Sequence, residues 1–341
     1  MARLLVPLSA ALMVLAAPVA APAVDLKPKL RAGTETHYLM TSRYDVTQKV
    51  ETAPDQPPRE VKMTLASDVG MRLTCSEVKD DGSAVLKWTL LYLAITSEGG
   101  MPMRHDSRDP SQTDSPVGYM FAPLLNHPAT VTLDATGAVS DYQDPGALGG
   151  GPVRQFTDML FSKEAFENLD IFPGKGSPAD AGVGATWSDT ETVDMSQGLG
   201  TMLVSSNYKL EGLKEGGKLA DISVEGSMSM KKPEATEGGS PAPQAGMVID
   251  KGVLSGRRLW DCAAGQAISS ESTSQLVGTA TGGFGKVALE QGGTLKVTRA
   301  TPEEFERAAK PPTTTAPAAS QPATEKRTDT GRSTPEKPGG H

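Results

Sequence analysis

The side chains that could do chemistry are few. The chain has four histidines. His37 lies on the polar parity of a strand-like run, His105 and His127 fall in loop-like stretches, and His341 ends the chain. No two have the spacing that would place both on one face of a helix or strand as zinc ligands. A serine triad would need one of them and a G-x-S-x-G elbow, which the sequence lacks. His105-Asp106-Ser107-Arg108-Asp109, with Asp114 beyond, offers oxygen ligands of the calcium type. It lacks the glycine and terminal glutamate of an EF-hand loop and reads as a solvated acidic loop. Gly282-Gly283-Phe284-Gly285-Lys286 lacks the phosphate-loop spacing and reads as a turn. Paired carboxylates for sugar hydrolysis would come from distant strands, and no local pattern marks them. The expectation is no catalytic residue, no metal and no cofactor.

Two other residue sets carry an expectation. The only cysteines are Cys75 and Cys262. They are too far apart for a redox C-x-x-C, but in an oxidising compartment they suit a disulfide. Closing so long a loop would be worth up to about 5 kcal/mol in the chain-entropy model. Two separate buried thiols are the alternative. Met40, Met63, Met71, Met228 and Met230 all fall on the apolar parity of strand-like runs. Methionine adapts to irregular apolar partners, so these five are candidates to face an apolar ligand, with ordinary core filling as the competing reading.

The elements that must position these residues are strands. Tyr38, Met40, Tyr44, Val46 and Val50 alternate with Glu35, Arg43, Asp45, Lys49 and Glu51, a period of two. The runs Val61 to Cys75 and Ala84 to Tyr92 repeat this around the Asp80-Asp81-Gly82 turn. The end of the third run is apolar on both parities and should be covered on both sides. Ser97 to Pro116 reads as a polar loop, and Val117 to Leu125 as a short helix. Ala129 to Leu133 and Ala138 to Tyr142 flank a tight turn at Asp134 to Gly137. Pro152 to Phe161 has helical spacing, and Ser162 is placed to cap a second short turn. Further runs follow: Trp187 to Met195, Met202 to Leu210, Ala220 to Met230, a strand ending at Leu259-Trp260-Asp261, and Ala267 to Leu276. Phe284 to Leu289 and Thr294 to Thr298 read as a last hairpin around Gln291-Gly292-Gly293. The fold class expected is mainly β. About a dozen antiparallel strands from two pseudo-repeats form one or more large curved sheets or an open half-barrel, with one or two short helices.

The ends differ in kind. Arg3 is the only charge before Asp25, Leu4 to Ala17 is apolar or small, and Ala21-Pro22-Ala23 supplies small residues for cleavage. Residues 1–23 read as a signal peptide, with an uncleaved anchor as the alternative. The expected divisions are 24–150, a first β-unit; 151–175, a helical connector; and 176–300, a second β-unit. Whether 24–300 forms one composite domain or two lobes is open. Residues 308–341, rich in Pro, Thr and Ala, read as a disordered tail. The formal net charge of −8, without basic clusters, argues against nucleic acid as a partner. No later segment is apolar and long enough for a transmembrane helix.

The Asp80-Asp81-Gly82 hairpin resembles a pattern found in uncharacterised exported bacterial proteins grouped as a domain of unknown function. So do the Thr132-Leu133-Asp134 and Gly137 turn, the Gly182-Val183-Gly184-Ala185-Thr186-Trp187 segment and the Leu259-Trp260-Asp261 to Gly265 hairpin. The likeness covers roughly Lys27 to Arg299; its motifs are structural turns, so it implies no activity and no site residues. A looser, fold-level likeness is to periplasmic lipoprotein carriers, whose curved sheets hold acyl chains. The expected function is that of a non-enzymatic protein, exported to the periplasm, cell envelope or exterior. It would bind a lipid or other apolar ligand, or an envelope component. The alternative is a structural or interaction protein of the envelope without a small ligand. An enzyme, most plausibly a hydrolase using acidic residues, ranks last.

Overall fold

The computed structural model describes residues 23–51, 57–100, 102–145, 162–167, 169, 171–195, 200–231, 246–282 and 285–311. They form twelve strands in one antiparallel sheet. In chain order these are β1 (Glu35–Glu51), β2 (Arg59–Val78), β3 (Ala84–Gly99), β4 (Met103–Asp106), β5 (Pro128–Leu133) and β6 (Val139–Gln143). Then come β7 (Thr186–Met195), β8 (Gly200–Lys214), β9 (Leu219–Met230), β10 (Gly246–Asp261), β11 (Gln266–Gly282) and β12 (Gly285–Ala300). Their spatial order is β6-β5-β3-β2-β1-β12-β11-β10-β9-β8-β7, with β4 also pairing β3. Three short α-helices accompany them: α1 (Pro116–Phe121), α2 (Lys163–Glu167) and α3 (Pro302–Ala308). The sequence halves meet at the β1–β12 pair, leaving β6 and β7 as the edges.

The sheet is curled. Laid flat, ten strand spacings of ~4.8 Å would hold β6 and β7 roughly 48 Å apart. Instead Gly137 and Val139, at the β6 edge, line the same small cavity as Asp189 and Glu191 of β7. The edges do not pair with each other, so the curl stays open. Twist accumulated over so many strands produces this shape. Side-chain alternation gives it an inside and an outside. On β1 the outward Arg43, Asp45 and Lys49 are exposed, while the inward Tyr44, Val46 and Val50 are half-buried.

Burial concentrates at one end of the long strands. There Leu86, Leu133, Leu210, Ile222 and Trp260 are fully buried, in two clusters. α1 and the turn after it seat Phe121 and Leu124 over the first cluster. α2 brings Phe166 against Trp88, with ring centroids 5.5 Å apart. Ser162 caps α2 as expected, its hydroxyl accepting from the Ala165 amide at 3.0 Å. The N-terminal segment straps the same end shut. Val24 and Ala181 exchange two backbone hydrogen bonds of 2.9 Å, and Leu26 is fully buried. Lys29 Nζ donates to the Cys262 carbonyl at 2.8 Å, and the Gly33 amide donates to that of Cys75 at 2.8 Å.

Four local expectations change. β4 pairs with β3 inside the stretch read as a polar loop. The last hairpin is absent, because β12 runs unbroken through Gln291-Gly292-Gly293. Gly293 is a strand glycine: a Cβ there would meet the Tyr44 ring of β1 at 2.2 Å. α3 is an additional element, begun by a reciprocal capping box between Thr301 and Glu304. It puts Ala308, where a tail was expected to start, inside a helix. The helix read at Pro152 to Phe161 lies outside the described residues, as do most of the loop before Gly246 and the tail beyond Pro311.

α3 supplies the outer cover expected at the doubly apolar part of β3. Phe305 is buried between the rings of His37 and Tyr92, at centroid distances of 4.5 and 6.0 Å. Gly70 makes the notch, since a Cβ there would lie 2.2 Å from Tyr92 Cε1 and 2.9 Å from Phe305 Cζ. Arg108 locks the arrangement. It forks onto Asp106 at 2.8 and 2.9 Å, pairs with Asp68 at 2.9 Å and covers the Tyr92 ring at 4.5 Å. It also donates to the Ala308 carbonyl at the helix end, at 2.8 Å.

Candidate functional site

The inner face is built row by row from residues paired across the sheet, because directly opposed residues share a face. One row reads Ser67, Ser42, Leu295, Ser272, Gly256, Val224, Tyr208 and Trp187. Ser42 and Ser67 hydrogen-bond through their hydroxyls at 2.8 Å. Below this row lie the two sealed clusters. Above it apolar side chains are mixed with polar ones, Ser274, Ser206, Gln291 and Gln48 among them. Leu276 and Met247 there are buried, while the buried side chains of α1 and α2 lie in the first cluster and α3 packs on the outer face. The next row contains Leu65, Tyr44 and Leu254. The one after contains Met63, Val46, Leu276, Met228 and Val204. Ile249, Met230, Met202 and Val193 continue toward the open rim. Most of these side chains are half-buried, and Met63, Met228, Met230 and Leu254 belong to neither cluster.

The pairing therefore brings all five singled-out methionines to one face, though not to one environment. Met71 is 2% exposed, inside the first cluster, and Met40 packs at that cluster's margin. Met63 lies across from Val46, Met228 across from Val204 and Met230 across from Met202, all above the serine row. Met202, Met247, Leu254 and Leu276 share this face but were not singled out. Their strand parity was readable, but joining it to the first half of the chain required the β1–β12 register.

The seam between the two edges is polar. Lys175 Nζ lies 3.2 Å from Glu167 of α2 and 3.6 Å from Glu191 of β7, and the Lys175 amide donates to Asp189 at 3.2 Å. Burial pushes the Glu191 carboxyl above the usual range, with the Lys175 ammonium opposing the shift. Burial pulls Lys175 down, but Glu191, Glu167 and Asp189 together more than offset it, so its ammonium titrates above normal. Arg258, 1% exposed, lies over the Tyr208 ring at 5.6 Å and donates to the Phe172 carbonyl. Two carboxylates from separate elements thus converge as a hydrolase would require, but Lys175 sits between them and joins α2 to β7. Inward charges on an edge strand also discourage it from pairing with another chain.

The remaining candidates are placed as follows. Cys75 and Cys262 are buried free thiols in different clusters. Burial raises both thiols, with Lys29 opposing the shift at Cys262. His37 faces α3, His127 is exposed, and His105 is 2% exposed, stacked on Phe121 at 5.6 Å. Asp106 is engaged by Arg108, and Asp109 caps the turn that follows it. Among the described residues no three His, Cys, Asp or Glu side chains gather to hold a metal. No helix there is long and apolar enough to cross a membrane.

No family model and no curated protein matches the chain. Among solved structures it is similar to lipovitellin, described for its lipid–protein interactions, at 10% identity and a TM-score of 0.42. That match covers 80% of this chain and 26% of lipovitellin, so the chain spans about a quarter of that protein's length. DynF from the dynemicin biosynthesis pathway of Micromonospora chersina matches at 10% identity and a TM-score of 0.19, over 83% of this chain and 88% of DynF. An outer membrane channel from Pseudomonas putida F1 matches at 8% identity and a TM-score of 0.22, over 80% of this chain and 97% of the channel. With TM-scores this low, the likenesses carry no argument about function.

Proposed function

We propose that this protein is a non-enzymatic binder that holds a lipid or other apolar molecule against the upper part of its curled inner face. One observation carries the reading: above the sealed core and the serine row, the inner face presents Met63, Leu254, Met228 and Met230 half-buried and outside both core clusters. A concave surface of this kind fits a small ligand better than a flat protein partner. Methionines at Met63, Met202, Met228 and Met230 suit flexible chains without one fixed shape. Charge placement argues against a membrane-spanning barrel. Such barrels turn apolar residues outward and polar ones inward, whereas here Arg43, Lys49, Arg257 and Lys296 are exposed on the outer face. Export to the periplasm or cell envelope, after loss of residues 1–23, is part of the same proposal.

The test is titration of the protein with Nile red, a neutral probe that fluoresces in apolar surroundings. Saturable binding is expected, unchanged in the outer-face variant Val253→Glu and weakened in the inner-face variant Leu254→Asp. Equal behaviour of the two variants, or no saturation, would refute the assignment.

A further inference from the structure

Resting on that reading, we propose that the enclosed part of the ligand is uncharged. The face then takes a neutral lipid of the acylglycerol or hydrocarbon type and rejects fatty acids and phospholipids. The argument is the charge inventory of the face. Above the serine row, the rows running from β2 to β7 contain no lysine or arginine before the rim. Arg59, opposite Val50, is exposed at the rim itself. The charged side chains within those rows are Asp189 and Glu191 on the edge strand, both carboxylates.

The cations nearby are engaged. Lys175 pairs with Glu167 and Glu191 at the seam. Arg258 donates to the Phe172 carbonyl and Arg299 pairs with Asp261 at 3.0 Å, both below the serine row. An anionic group drawn in with its acyl chain would lose water and gain no cation, which strongly disfavours burial. It would also meet the two seam carboxylates. A diacylglycerol presents only hydroxyl and ester groups, which Ser274 and Gln291 on the same face can meet with hydrogen bonds.

The experiment is displacement of bound Nile red from the mature protein at pH 8 by dioleoylglycerol, oleic acid or dioleoylphosphatidic acid. Dioleoylglycerol should compete at concentrations at least ~10-fold lower than either anion. Equal or stronger displacement by the anionic lipids would overturn the proposal while leaving an apolar site in place. Failure of Nile red to bind saturably would instead remove the underlying reading, and this one with it. A second variant tests the cause. Leu254→Lys places a cation on a half-buried inner position, and oleate should then compete about 10-fold better than against the parent protein. Unchanged oleate competition in that variant contradicts the charge argument.

Discussion

Replacing Met228 by glutamate separates an open ligand-binding face from an ordinary packed core. Met228 lies above the serine row, opposite Val204 and against Gly252 of β10, and its side chain is half-buried without joining either core cluster. A ligand covering it would complete its burial; for a side chain already half-buried that is worth roughly half of the ~1.5–3 kcal/mol of a full burial, about 0.8–1.5 kcal/mol. Glutamate removes that contact and adds a carboxylate whose desolvation against hydrocarbon costs roughly another 1–3 kcal/mol. The two effects sum to about 2–4.5 kcal/mol. At ~1.4 kcal/mol per decade, binding of an apolar ligand should weaken at least ~20-fold. Without ligand the new carboxylate stays hydrated, so the unfolding free energy should change by less than about 1 kcal/mol. Nile red titration and urea denaturation of the same preparation read both quantities. Unchanged affinity would refute the site. A stability loss of about 3 kcal/mol or more, as for a buried core side chain, would show that Met228 is already covered.

Three further outcomes follow from the fold. Gly70→Ala should push the Tyr92 ring off its seat and loosen α3, costing about 1–3 kcal/mol, with faster amide exchange at residues 301–310 in exchange mass spectrometry; unchanged exchange there would contradict the notch. His105 is buried and its pKa is held down by burial, partly offset by Asp106. Below pH ~6.5 the unfolded chain takes up a proton that the folded imidazole refuses, so stability should fall as pH drops from about 6.5 toward the lowered pKa, and His105→Phe should flatten that slope in denaturation series. Cys75 and Cys262, buried thiols with raised pKa values, should react slowly with iodoacetamide in the native protein and quickly in urea; a mass two hydrogens short in the protein purified from its source cells would instead support the disulfide.

Strand parity was legible from Tyr38 to Val50 because the charged Arg43, Asp45 and Lys49 all fall on one parity, the solvent side. The turns at Asp80-Asp81-Gly82 and Asp134 to Gly137 were legible because glycine supplies the positive φ they need, 82° and 88°. The glycines misled where their reason was packing: Gly293 makes room for the Tyr44 ring, and its neighbours looked like a turn. The site was half legible. The methionine parities were visible, but the face they share depends on β1 pairing with β12, a contact between residues some 250 positions apart that no local pattern encodes. The seam was invisible for the same reason, since Glu167, Lys175 and Glu191 meet only after the sheet curls. α3 announced itself through Thr301-Pro302 and Glu304, a capping box that its closeness to the proline-rich tail concealed.

The central claim, an apolar ligand on the inner face, is tested most directly by native mass spectrometry of the protein purified from the cells that produce it, before and after organic extraction. The expected result is a reproducible added mass that disappears on extraction and is recovered as a lipid in the organic phase. A bare polypeptide mass under gentle conditions, in a protein that also fails to take up Nile red, would contradict it and favour a structural or interaction role without a small ligand.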